Sequence, residues 1–400
     1  MAVVAHFLSR PVLLAYCLLL TSVMANANQE IPIGYLELQQ QRPPLLSNVL
    51  PEPEDSGLQG ARLGLADNNG AGRFVGQHFS LLEARLDNID ALLKQADDWQ
   101  QQGIKLLVAN MPAAQLEQLS MHFSGTDTLI FNAGSPEDNL RHSRCLNNVL
   151  HTLPSRAMLT DALTQWLMAK RLKHWLLIEG QRPNDKAYAA ALRRSAKRFG
   201  AKIVASKEWT FDSDLRRTAQ AELPLFTQTK EYDVVVVADE LGDFGEYVLY
   251  NTWYPRPVVG TQGLKPVSWH RVVEQWGAAQ LQTRFEKMAT RWMTDGDYAA
   301  WLAIRSIGEA VAQQESSEAG ALRGWLLGEQ FQLAGYKGRS LNYRPWSGQL
   351  RQPIPLVHSR ALISQSPQEG YLHPTTDLDT LGYDRPESKC RIAEHTAGAN

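Results

Sequence analysis

The chain has 400 residues, with 40 basic and 42 acidic side chains, a formal net charge of −2, 44% hydrophobic residues and three cysteines. That charge gives no electrostatic footprint for nucleic acid or anionic lipid, and the composition is that of an ordinary globular protein. The length suffices for about two domains with buried cores.

Met1–Arg10 carries Arg10 as its only full charge, and Pro11–Met24 is almost wholly apolar. The apolar run is too short to span a bilayer and ends in Ala25-Asn26-Ala27, a small-x-small site. Residues 1–27 therefore read as a signal peptide cleaved after Ala27, which takes the mature chain out of the cytoplasm with a charge of −3. Cys17 leaves with the peptide. Cys145 and Cys390 remain, and an oxidising compartment allows them to pair, so a disulfide is expected between them.

Strands are predicted at Ile31–Leu38, Phe79–Leu86, Ile104–Ala109, Thr128–Phe131, His174–Ile178, Lys202–Ser206 and Asp233–Ala238. Several are continuous apolar runs, as in Val234-Val235-Val236-Val237, which suits a strand covered on both faces of a parallel sheet. Between them, Leu58–Asn68, Asn88–Gln101, Arg156–Leu172 and Lys186–Phe199 place apolar residues at helical spacing. The alternation implies α/β layers with right-handed crossovers. A break falls at Leu153-Pro154-Ser155, where Ser155 fits an N-cap. Trp276–Gln313 reads as mostly helical, Ile354–Ser364 as strand, and the polar stretch from Gln365 onward as an extended surface tail. Arg193, Arg194, Lys197 and Arg198 read as a solvated helix face.

Two stretches then carry a resemblance. Gly60-Ala61-Arg62-Leu63-Gly64-Leu65-Ala66-Asp67-Asn68-Asn69-Gly70-Ala71-Gly72-Arg73-Phe74-Val75-Gly76 is similar to the helix and Gly-rich turn after the first strand of type I periplasmic binding proteins of the branched-chain amino acid class. The glycines are read as ending a helix and reversing the chain. Tyr343-Arg344-Pro345-Trp346-Ser347-Gly348-Gln349-Leu350 stands where that class has a late Trp-x-x-Gly turn, here Trp-x-Gly. Leu150–Leu159, Tyr188–Arg194 with Lys197–Gly200, and Asp384–Cys390 resemble a subgroup associated with pyrroloquinoline-quinone-dependent alcohol dehydrogenase systems. The resemblance implies two α/β lobes of parallel sheets flanked by helices, joined by a three-strand hinge. It places residues 28–153 and 278–340 in an N-terminal lobe, residues 154–277 and 341–365 in a C-terminal lobe, and residues 366–400 in the tail. It also implies a periplasmic location, a small-molecule ligand closed between the lobes, and a partner permease of an ABC transporter in the inner membrane. The alternative is the same fold serving as an envelope protein-binding or regulatory module.

Ligands of α/β sheets sit beyond the carboxyl ends of strands, which selects four loops. In the first lobe these hold Met111 and Pro112, then Asn132, Ala133 and Ser135. In the second they hold Asp185, then Asp239 and Glu240. By the resemblance, Gln262 in Gly260-Thr261-Gln262-Gly263 stands where amino acid binders carry a Glu for the ligand ammonium. A neutral amide leaves a buried ammonium without an ion pair, so an uncharged or anionic organic ligand is expected. Ser135, Asp185, Asp239, Glu240 and Gln262 equally suit caps or turns. Trp253, Trp269 and Trp346 are secondary aromatic candidates, core packing being the commoner role. His142, Cys145 and His151 match no zinc spacing, no nucleophile elbow or His-Glu-x-x-His helix occurs, and neither an enzyme nor a cofactor is expected.

Overall fold

The computed structural model describes residues 29–41, 47, 49–210 and 215–392. The expected signal peptide lies outside the described residues. The first α/β unit comprises β1 (Gln29–Leu38), α1 (Leu58–Gly72), β2 (Gln77–Leu86), α2 (Ile89–Gln101), β3 (Leu106–Asn110), α3 (Ala113–His122), β4 (Leu129–Asn132), α4 (Asn139–His142) and β5 (Val149–His151). Its sheet is parallel throughout, in the order β2-β1-β3-β4-β5. Alternation along β1 sends Ile31, Ile33 and Tyr35 into one core layer and Leu36 into the other, so both faces of the sheet are covered.

The second unit comprises α5 (Arg156–Ala169), β6 (His174–Glu179), α6 (Pro183–Phe199), β7 (Lys202–Glu208), α7 (Leu215–Thr227), β8 (Val234–Ala238), α8 (Gly245–Val248) and β9 (Val258–Gly260). Its parallel sheet runs β7-β6-β8-β9. The four valines of β8 divide between the two faces, Val234 and Val236 packing with α5 and α6, Val235 and Val237 on the other side. This is why the run needs no polar alternation.

Beyond these come β10 (Lys265–Pro266), α9 (Ala278–Ala289), α10 (Asp295–Gln314), α11 (Ala319–Leu326), β11 (Leu333–Ala334), β12 (Ser340–Tyr343), β13 (Leu350–Arg351), β14 (Ile354–His358) and β15 (Ala361–Ser366). Helices α9 to α11 return to the first sheet and complete its larger core. Gly60 and Gly64 lie inside α1, where an added Cβ at Gly60 would sit 1.8 Å from the Asp297 carbonyl oxygen of α10. They permit close helix packing; the chain reverses only after Gly72.

Three passages join the lobes. The chain leaves β5 for α5 at residues 151–156. It returns at 264–269, Leu264 packing in the second core and Trp269 in the first. It crosses again between Leu350, in the first core, and Ile354, in the second. Trp269 and Val273, and likewise Leu341, Tyr343 and Leu350, thus pack with the first lobe, although the resemblance assigned residues to 277 and 341–365 to the second, and we place the later crossings at 264–269 and 350–354. Gln352 ties the passages together: its Nε2 donates to the Thr152 carbonyl at 2.9 Å, and its Oε1 accepts from Ser268 Oγ at 3.4 Å and from Lys337 Nζ at 2.6 Å.

The tail is docked up to Ile392, not extended. Gly382 donates its N–H to Asp161 at 2.9 Å, and its carbonyl accepts from Arg194 and Arg198. Those arginines also pair with Asp161, which has no exposed side-chain surface, so the basic face of α6 is in part a docking site, not a solvated one. Farther on, Cys390 is bonded to Cys145 and Ile392 enters the first core. Partners distant in sequence neutralise the polar tail and so hold it down.

Candidate functional site

In both sheets the order reverses beside the first strand, between β1 and β3 and between β6 and β8. At such a switch point the following helices diverge to opposite faces and leave a crevice beyond the strand ends. The loops there reach across to one another. Ser47, in the loop after β1, donates to the Gly242 carbonyl in the loop after β8. Arg156 at the start of α5 is held at 2.5 Å by Glu137 of the first lobe and in a bidentate pair at 2.7 Å by Glu240 of the second. Burial works against the Arg156 charge, but the two carboxylates outweigh it and hold its pKa above the ordinary value.

On the first wall, Asn132 is fully buried. Its Oδ1 accepts from the Gly134 and Ser135 N–H groups at 3.2 and 2.9 Å, and its Nδ2 donates to the Ser135 carbonyl at 2.9 Å. Nδ2 also lies 2.9 Å from His151 Nδ1, in a site whose burial pushes the histidine well below its usual pKa. Ala133 and Met111 are core residues, Pro112 is the N-cap of α3, and buried Ser135 Oγ accepts from Glu137 N–H at 3.5 Å. Asn110, next to Met111, donates to Tyr35 Oη and the Ser56 carbonyl, each at 3.1 Å.

On the second wall, Asp239 accepts from the N–H groups of Asp243, Phe244 and Gly245 at 2.8, 2.8 and 2.6 Å. Asp185 accepts from Glu240 N–H at 2.8 Å and Arg182 N–H at 3.3 Å. Burial raises both carboxyls, Asp185 to about 6, against the lowering effect of those bonds. Gln262 is buried, with its side chain against Gly245. Asp239, Asp185 and Gln262 thus come together around the end of β8, and the two acids are engaged as turn and cap acceptors. Trp269 lies in the first core, Trp346 covers Arg344 and Arg351, and Trp253 is half-exposed.

Sequence reasoning passed over Arg156 and Lys265. Arg156 carried a signal, standing directly after the N-cap Ser155 at the first passage between lobes. Lys265 stands three residues after Gln262, on the second passage.

Two lobes of parallel sheet flanked by helices, joined by three passages, define the type I periplasmic-binding-protein fold. Residues 51–238 match the sequence model of the family described as periplasmic binding protein. A branched-chain amino acid ABC transporter periplasmic ligand-binding protein from Burkholderia xenovorans superposes with a TM-score of 0.72 at 15% identity, over 91% of this chain and 100% of the other. An ABC transporter substrate-binding protein from Desulfitobacterium hafniense in complex with Leu gives 0.62 at 14%, over 84% and 99%. A solute-binding protein of an ABC transporter from Rhodopseudomonas palustris, in complex with 3,4-dihydroxybenzoic acid, gives 0.59 at 9%, over 82% and 93%. At these identities the likeness is one of fold. No curated protein matches the chain in sequence. Among the described residues no helix is long and apolar enough to cross a membrane.

Proposed function

We propose that this protein is a periplasmic solute-binding component of an ABC transporter, which closes its two lobes on a small organic molecule and presents it to a permease in the inner membrane. The observation that carries the reading is the confrontation of the two switch-point crevices across a three-passage hinge, the geometry in which a bound molecule stabilises closure.

The ligand in this reading lacks a free ammonium group. Gln262 supplies no charge, Asp185 and Asp239 are bonded to backbone N–H groups, and Glu240 is paired with Arg156. The link to alcohol oxidation rests on the stretches quoted above and points to an alcohol, aldehyde, acid or aromatic compound. Calorimetry with leucine, isoleucine and valine tests the exclusion, and no binding in the micromolar range is expected. Micromolar binding lost on mutating Asp185, Asp239 or Glu240 would refute it. The rival reading, an envelope module that holds a protein partner, is favoured by one feature: Arg156 already links the lobes through Glu137 and Glu240. Mass spectrometry of molecules released from the purified protein bears on the choice: a captured small organic molecule supports the first reading, and its absence supports the second.

A further inference from the structure

The second passage between the lobes carries a lysine without a close partner. Leu264 and Pro266 flank Lys265, the first residue of β10, and Leu264 packs in the second core. Alternation turns Lys265 to the opposite face, the side of its cross-strand neighbour Val357, which packs in the first core. Lys265 therefore projects from a hinge strand toward the space between the lobes. Two acids act on its charge, one from each lobe: Asp295 at the start of α10 and Asp239 after β8. Neither lies within ion-pair distance, and each is already engaged: Asp239 takes three backbone N–H groups, and Asp295 accepts from Trp269 N–H at 2.6 Å. Among the described residues the Lys265 ammonium makes no hydrogen bond or ion pair, although burial depresses its pKa. Lys337 shows the contrast. It is also buried, but it donates to Gln352 Oε1 and the Pro353 carbonyl, at 2.6 and 3.1 Å, and lies over the Tyr298 ring.

A half-buried ammonium that keeps solvent contact but has no protein acceptor gains from an anion brought into the same partly desolvated space. We propose that the ligand is an organic carboxylate whose acid group rests on Lys265, with Gln262, three residues earlier, as a neutral wall of the same cleft. This assignment rests on the solute-binding reading and narrows its ligand to organic acids.

The test is calorimetry on the exported protein with matched pairs of acid and alcohol: benzoate and benzyl alcohol, phenylacetate and 2-phenylethanol, 3-methylbutanoate and 3-methylbutanol, butanoate and butanol. It is paired with mass spectrometry of whatever the purified protein releases on denaturation. An acid should bind at least about tenfold more tightly than its alcohol, the equivalent of one charge-assisted hydrogen bond. Lys265→Met should erase that difference and Lys265→Arg should keep most of it, neither lowering the thermal midpoint. Equal binding of acid and alcohol, acid binding that survives Lys265→Met, or a released molecule without an acid group would overturn the assignment and leave the solute-binding reading standing. Absence of any bound or released small molecule would overturn both.

Discussion

The two walls of the cleft fasten their loops with different chemistry. On the first, Asn132 accepts two backbone N–H groups and also donates to a carbonyl. On the second, Asp239 only accepts, from three N–H groups at once. An amide has both a donor and an acceptor end, whereas an ionised carboxylate has acceptors alone, so each turn holds the residue type its backbone demands. Acids at a cleft wall are therefore no guide to the charge of a ligand. The two ends of the docked tail show a similar division. It is attached to the second lobe by Asp161, Arg194 and Arg198, and to the first by a covalent bond.

Exchanging the two residue types tests this comparison. Asn132→Asp should cause the larger loss, about 3 kcal/mol or more by urea denaturation, because it buries a charge and aims an acceptor at the Ser135 carbonyl. A loss below about 0.5 kcal/mol would show that the first turn does not require a donor. Asp239→Asn should cost less, on the order of 1–2 kcal/mol, since one oxygen still accepts while the new amide N–H groups face backbone donors.

The smallest effect concerns pH. Asp185 is raised to about 6 by burial, so the folded state binds its proton more tightly than the unfolded chain does. Its contribution is most favourable below the ordinary carboxylate range, declines as pH rises from about 4 to about 6, and is constant above that. Asp185→Asn should flatten the stability profile across that window by roughly 1 kcal/mol, after allowance for partial solvation. An unchanged slope would mean that Asp185 titrates normally. Asp379 runs the other way: despite burial, Arg344 and Arg351 hold it down to about 2. Its contribution is present above the ordinary range and is lost as pH falls from about 4 to about 2.

Much of the architecture was legible in the sequence, because period and composition are local signals. The valines of β8, the apolar runs of β3 and β4, and the cap Ser155 declare themselves within a few residues. The pairing of Cys145 with Cys390 followed from the cysteines that export would leave. The candidate site was legible only as a set of loops. Which side chains in those loops are spent on backbone groups depends on partners such as Asp243 to Gly245 for Asp239, and the chain's own turn decides that.

What only the tertiary structure decided are the features in which distant segments meet. Gly60 and Gly64 look like turn residues until α10, more than two hundred residues later, is laid against them. Arg194 and Arg198 look like a solvated face until the tail arrives to share Asp161. Lys265 is one polar residue in a short strand until two lobes are folded on either side of it. Secondary structure follows from hydrophobic period and backbone preference along a few turns of chain. Whether a charge is solvated, paired or stranded depends on what long-range packing brings within a few ångströms of it.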